Sequence, residues 1–194
     1  VTTLVLASTS PYRLEVVKRL QLPVVAARPH CDEMPFAHET ALETAVRLAE
    51  TKAMSLQADY PDSLIIGGDQ VALLDDQQIG KPKDVAHAVE MLLWMSGRTV
   101  IFYSALCLLN AKTGRTQAAV GVTKVTFRPL TEAKIRRYLA AEPDALNCAG
   151  AAKSEALGGA LILKIESDDP AALIGVPLFQ LVTFLENEGL SVLA

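Results

Sequence analysis

Residues 64–82 read LIIGGDQVALLDDQQIGKP, and Asp69 stands in the middle of what is otherwise a buried apolar run. On an extended strand the two-residue repeat puts Ile65, Gly67, Asp69, Val71 and Leu73 on one face. An uncompensated carboxylate there costs several kcal/mol and takes up a proton in preference to staying charged. A fold that simply covers both faces of this strand with hydrocarbon is therefore excluded. Either a cation, a metal ion or a polar ligand has to meet Asp69. The Gly67–Gly68 pair leaves room beside the carboxylate, which suits a metal or substrate more than a structural lysine.

The neighbouring segments define the layers around that strand. Residues 4–7, LVLA, read as a short buried strand, followed by a helix with Ser10 as N-cap and Pro11 at its first position. Helical periodicity predicts helices over 39–58, 84–96, from Thr131 to 141, and over 177–188. TVIFYSALCLLN and QAAVGVTKVTF read as strands around the turn AKTGRT with Gly114, and a further strand is expected near 160–165. Strands alternating with helices around one hairpin predict an α/β fold with a mixed sheet, in a single domain over 1–194.

Charge and composition narrow the function. The net charge is −4 with no basic run, so a phosphate backbone of nucleic acid is not the expected partner. No apolar run reaches the length of a membrane span, and VTTLVLASTS lacks the basic flank of a secretory signal, which predicts a cytoplasmic protein without membrane contact. Cys31, Cys107 and Cys148 are odd in number and widely spaced, which predicts reduced thiols. His30 beside Cys31 lacks the partner spacing of a transition-metal site.

Three further features carry chemistry. ASTSPYR, residues 7–13, combines hydroxyls, Arg13 and a helix N-terminus, whose free N–H groups suit an anion; spacing alone favours a plain cap with an exposed arginine. Lys52 occupies a stripe with Ala41, Ala45, Leu48 and Leu56, where an apolar residue is expected. Its stem either snorkels along the core or aims the ammonium into a cleft. Glu33 and Asp32 lie in a loop, and Lys81 sits in the rigid turn GKP. Hydroxyls at a helix end, carboxylates for a hard cation and separated lysines together suit a polyphosphate.

LASTSPYR, DE at 32–33, RLAETKA, IIGGDQV, GKP, CAGAAKSE and GVPL resemble, in order, the motifs of the Maf family of nucleotide pyrophosphatases. The resemblance implies a twisted mixed β-sheet flanked by helices with a central cleft, inosine triphosphatase-like, in a homodimer. It implies cleavage of a nucleoside triphosphate to the monophosphate and pyrophosphate, with Mg2+ or Mn2+ as cofactor. By position, it gives Ser8 and Arg13 to phosphate contacts, Glu33 and Asp69 to the metal, Lys52 and Lys81 to the triphosphate, and Asp69 to proton acceptance. Leu14 stands where the family often has a second arginine. Tyr12, Gln70 and Glu155 resemble the subgroup acting on 7-methyl-GTP, not the one acting on dTTP and UTP. The chemistry agrees, since a ring carrying positive charge is drawn to an aromatic face, and guanine's two Watson–Crick donors match one carboxylate. The alternative reading is a nucleotide-binding regulator of cell division that does not turn over. A dinucleotide-dependent dehydrogenase is excluded, because no Gly-x-Gly-x-x-Gly follows the first strand.

Overall fold

The structure, a computed structural model, describes residues 3–193. Its strands are β1 (Leu4–Ala7), β2 (Val24–Ala27), β3 (Leu64–Leu74), β4 (Gln77–Ile79), β5 (Thr99–Asn110), β6 (Thr116–Phe127) and β7 (Ile162–Ser167). The helices are α1 (Pro11–Lys18), α2 (Ala41–Met54), α3 (Val85–Met95), α4 (Glu132–Ala141) and α5 (Leu178–Asn187). The strands form one open sheet in the order β2-β1-β3-β5-β6-β7, with β4 paired to β3. β1 runs parallel to both β2 and β3, with Leu4 opposite Val24 and Leu64, while β3–β4 and β6–β7 are antiparallel. This is the mixed α/β sheet the alternation predicts. No helix among the described residues is long and apolar enough to cross a membrane.

The chain divides into two compact units. One takes in the chain up to Gln70, Tyr103–Val122 and the chain from Asp168 on; the other takes in Val71–Phe102 and Thr123–Ser167. In the first, Leu64 and Ile66 of β3 join Leu4 and Leu6 of β1 in a core closed by Val16 and Val17 of α1 and by Leu181, Phe184 and Leu185 of α5. Leu14 packs against this core, so the position facing it could not carry a charge cheaply. In the second, Ala88, Val89, Leu92 and Met95 of α3 and Ile135, Tyr138 and Leu139 of α4 are buried where the two helices pack.

Two strands escape the sequence reading. β2 is only VVAA, with its middle residues exposed, and β4 is the polar QQI on an edge; neither has an alternation to detect. The second helix is also shorter than the periodicity predicts. Thr40 and Glu43 form a reciprocal capping box at its start, and at its end Ser55 Oγ donates to the Lys52 carbonyl.

Gly67 corrects one expectation outright. The space beside it is filled by α2: a Cβ at Gly67 would lie 1.9 Å from the Ala49 carbonyl oxygen and 3.0 Å from the Ala53 Cβ. Absence of a side chain here brings a helix backbone against the strand and leaves no void. Gly67→Ala is expected to lower unfolding free energy by about 1–3 kcal/mol or more, because backbone atoms cannot yield as a flexible side chain does. Urea denaturation of the variant against the parent chain checks this.

Candidate active site

The first unit assembles most of the expected residues around β3, and period two sorts them. Gly67 and Asp69 face α2; Gly68 and Gln70 face the other way, where a Cβ on Gly68 would lie 3.7 Å from Arg13 Nε. On the α2 side, Lys52 is buried and its Nζ donates to Asp69 Oδ1 at 2.8 Å while lying 3.2 Å from Glu33 Oε2. The unexpected lysine on the apolar stripe is thus the compensation for the unexpected aspartate in the strand. Its ammonium is held between two carboxylates and does not reach out to solvent.

Glu33 lies in a loop, so its position depends on how that loop is tied. Glu39 accepts from Arg47 Nε at 2.5 Å, from the Phe36 N–H at 2.9 Å and from Thr44 Oγ1 at 3.0 Å. Arg47 also donates to the Met34 carbonyl at 3.0 Å and lies over the Phe36 ring, 3.8 Å from its centroid. One arginine of α2 therefore clamps both the chain just after Glu33 and the residue that precedes the helix cap. These bonds hold the Glu39 carboxyl down to about 2, Arg47 contributing most.

On the opposite side, Ser10 caps α1 by accepting from the Arg13 N–H at 3.3 Å, and Ser8 Oγ accepts from the Ser10 N–H at 3.1 Å. Ser8 is buried. Arg13 is not the exposed arginine that spacing favours. Its Nε donates to the Gly175 carbonyl at 3.3 Å, and burial pushes its pKa down while Asp69 and Glu33 push it up. An arginine under those opposing influences keeps its charge. Gln70 Nε2 donates to Ser104 Oγ at 2.8 Å and to the carbonyls of Leu173 and Ala172 at 3.0 and 3.3 Å.

A family model described as "Maf-like protein" matches residues 3–188. The chain belongs to the Maf family. Among curated relatives, proteins named 7-methyl-GTP pyrophosphatase are 66% identical in Chromobacterium violaceum, over 98% of both chains, and 52% identical in Neisseria meningitidis, over 98% of this chain and 97% of that one. Another so named in Vibrio cholerae is 50% identical over 98% of this chain and 97% of its own. A solved structure of a HAM1 protein from Coxiella burnetii aligns over 66% of this chain and 73% of its own, at TM-score 0.44 and 16% identity.

In this Maf protein the motifs fall into two groups. Ser8, Tyr12, Arg13, Glu33, Lys52, Asp69 and Gln70 belong to the first unit; Lys81 and Glu155 belong to the second. There the Gly150 N–H donates to the Gly80 carbonyl at 3.0 Å, which joins the GKP turn to the segment leading into Glu155. Glu155 itself is exposed and accepts from Ser154 Oγ at 3.3 Å. The three cysteines are free, as expected, and burial pushes the Cys107 thiol up to about 12, which removes it as a nucleophile. Sequence reading gave no role to Ser104, Gly175, Glu39 or Arg47. Gly175 and Arg47 did carry a signal, as the first residues of GVPL and RLAETKA.

Two outcomes follow from this geometry. Lys52→Met is expected to lower stability by about 1–3 kcal/mol at neutral pH, less than for a fully enclosed pair, since the Asp69 and Glu33 side chains keep 19% and 61% of their exposure. Adding Asp69→Asn should restore part of the loss, and a double-mutant cycle in urea measures it. The second concerns acid. The Glu39 brace exists only with the carboxyl ionised, so its contribution is complete above the ordinary value of 4.5 and fades as pH falls toward about 2. The gap in melting temperature between the parent chain and Glu39→Gln should close over that same interval.

Proposed function

We propose that this chain hydrolyses 7-methyl-GTP to 7-methyl-GMP and pyrophosphate. The observation that carries the reading is the Glu33–Lys52–Asp69 cluster, within a chain whose relatives at 50–66% identity bear that name. In the reaction an oxygen–phosphorus bond forms from water to the α-phosphorus, and the bond to the bridging oxygen breaks with its electron pair leaving on pyrophosphate. Asp69 accepts the proton that the water loses. Arg13, Ser8 and the first turn of α1 bind phosphate oxygens, and Lys52 and Lys81 offset the charge that shifts onto the leaving group.

A divalent cation belongs to the same proposal, and the donor set fits one. Glu33 and Asp69 place carboxylate oxygens 3.2 and 2.8 Å from the same Lys52 ammonium, within reach of one cation, and among the described residues no group of three or more His, Cys, Asp or Glu side chains could hold a metal. Mg2+ or Mn2+ needs only one or two carboxylates when phosphate oxygens and water complete its shell. Bound there, the ion would supply Lewis-acid polarisation of the phosphoryl oxygens. Tyr12 and Glu155 recognise the methylated base by ring stacking and by accepting its two donors. A homodimer, implied by the resemblance, and a cytoplasmic setting complete the reading.

The alternative of a binding-only regulator of cell division has no comparable support, since the relatives are named for catalysis. Pyrophosphate release from 7-methyl-GTP, GTP, dTTP and UTP, with Mg2+ or Mn2+, tests the proposal. Expected are a preference for 7-methyl-GTP, loss of activity on chelation with recovery on adding metal, and a fall of about 10²–10⁴ in kcat for a folded Asp69→Asn protein. Nucleotide binding with no release from any of the four would return the question to the regulator.

A further inference from the structure

Gln70 directly follows the proposed proton acceptor, yet its side chain points away from it, to the face of β3 that holds Arg13. Three acceptors surround its amide nitrogen: Ser104 Oγ at 2.8 Å, the Leu173 carbonyl at 3.0 Å and the Ala172 carbonyl at 3.3 Å. Carbonyl oxygens cannot donate, so the nitrogen and not the amide oxygen has to face them. Ser104, buried, donates in turn to the Ala172 carbonyl and so anchors the same point from the neighbouring strand.

Ala172–Ile174 form a single 3-10 turn, and the next residue, Gly175, has φ of +133°, a conformation in which other residues are strained. A Cβ at Gly175 would also lie 3.0 Å from Arg13 Cγ. The end of the turn thus lies along the Arg13 stem, and the carbonyl of Gly175, which follows it, accepts from Arg13 Nε at 3.3 Å. With Nε engaged by the backbone, the terminal guanidinium nitrogens are the part of Arg13 that the proposed function gives to phosphate oxygens.

We propose that Gln70 is a positioning residue for Arg13: it pins the Ala172–Leu173 carbonyls, which fixes the Gly175 carbonyl and so the direction of the guanidinium. This rests on the reading that Arg13 binds the triphosphate. It gives Gln70 a part in anchoring phosphate, independent of which base is attached.

The test uses the full chain with Gln70→Met, which keeps length and removes the donors, and Ser104→Ala as the milder second cut at the same anchor. The direct readout is the NMR signal of the Arg13 Nε–H, assigned by its loss in Arg13→Lys. In the parent chain it should be sharp and protected from exchange; Gln70→Met should broaden or abolish it, and Ser104→Ala should weaken it. A sharp, protected signal in either folded variant overturns the proposal. Steady-state kinetics give the second readout. KM in Gln70→Met should rise about tenfold for 7-methyl-GTP, GTP, dTTP and UTP alike, the scale of one charge-assisted hydrogen bond, with their ranking unchanged. A loss confined to 7-methyl-GTP would make Gln70 a base contact and overturn the proposal. If the parent chain released no pyrophosphate, the proposed function would fail while the NMR result still decided the role of Gln70.

Discussion

Lys52 and Asp69 depend on each other, and much of the first unit is arranged so that they meet. A lysine on the core face of a helix and an aspartate inside a strand are each unfavourable alone. Together, at 2.8 Å, they make a compensated pair, but only if helix and strand lie close and in one register. Gly67 permits that closeness, because α2 presents the Ala49 carbonyl and the Ala53 methyl where any side chain would stand. Lys52 leaves the helix between those two contacts, which sets its ammonium one strand repeat away, at Asp69. The small residues around it are therefore part of how the charge is placed.

The dipeptide Asp69–Gln70 then divides the work between two faces of a single strand. The aspartate meets α2, its lysine and the loop carrying Glu33; the glutamine meets the turn that seats Arg13. Adjacent residues in a strand point oppositely, so one extended segment meets Lys52 on one side and the turn beside Arg13 on the other, the two faces to which the proposals give acid chemistry and phosphate anchoring. The loop of Glu33 has no comparable backbone support and is held instead by Arg47, which bonds Glu39 and the Met34 carbonyl.

Much of this was legible in the sequence because its signals are local. Period two placed Asp69 and Gly67 on one face, period 3.6 placed Lys52 on the apolar stripe, and Ser10–Pro11 marked the start of α1. What periodicity does not contain is the identity of the element packed on each face. Gly67 therefore read as open space when it was a helix contact, and Arg13 read as exposed when it was tied to Gly175, 162 residues along the chain. Ser104 looks like any residue of a buried strand until the carbonyl it bonds is known. β2 and β4 were missed for a different reason: their pairing partners, and not their own residues, make them strands.

The charges at the cluster argue for the form in which a nucleotide would enter. Asp69 and Glu33 contribute two negative charges and Lys52 and Arg13 two positive ones, so these four side chains nearly cancel before any ligand arrives. A free triphosphate carries several negative charges and would meet two carboxylates already occupying the lysine it needs. Under the proposed function, Glu33 and Asp69 would hold a divalent cation bound with the phosphates, and Lys52 would then face the ligand. Lys52 compensates the half-buried Asp69 carboxylate with the same ammonium that the proposed reaction uses on its substrate.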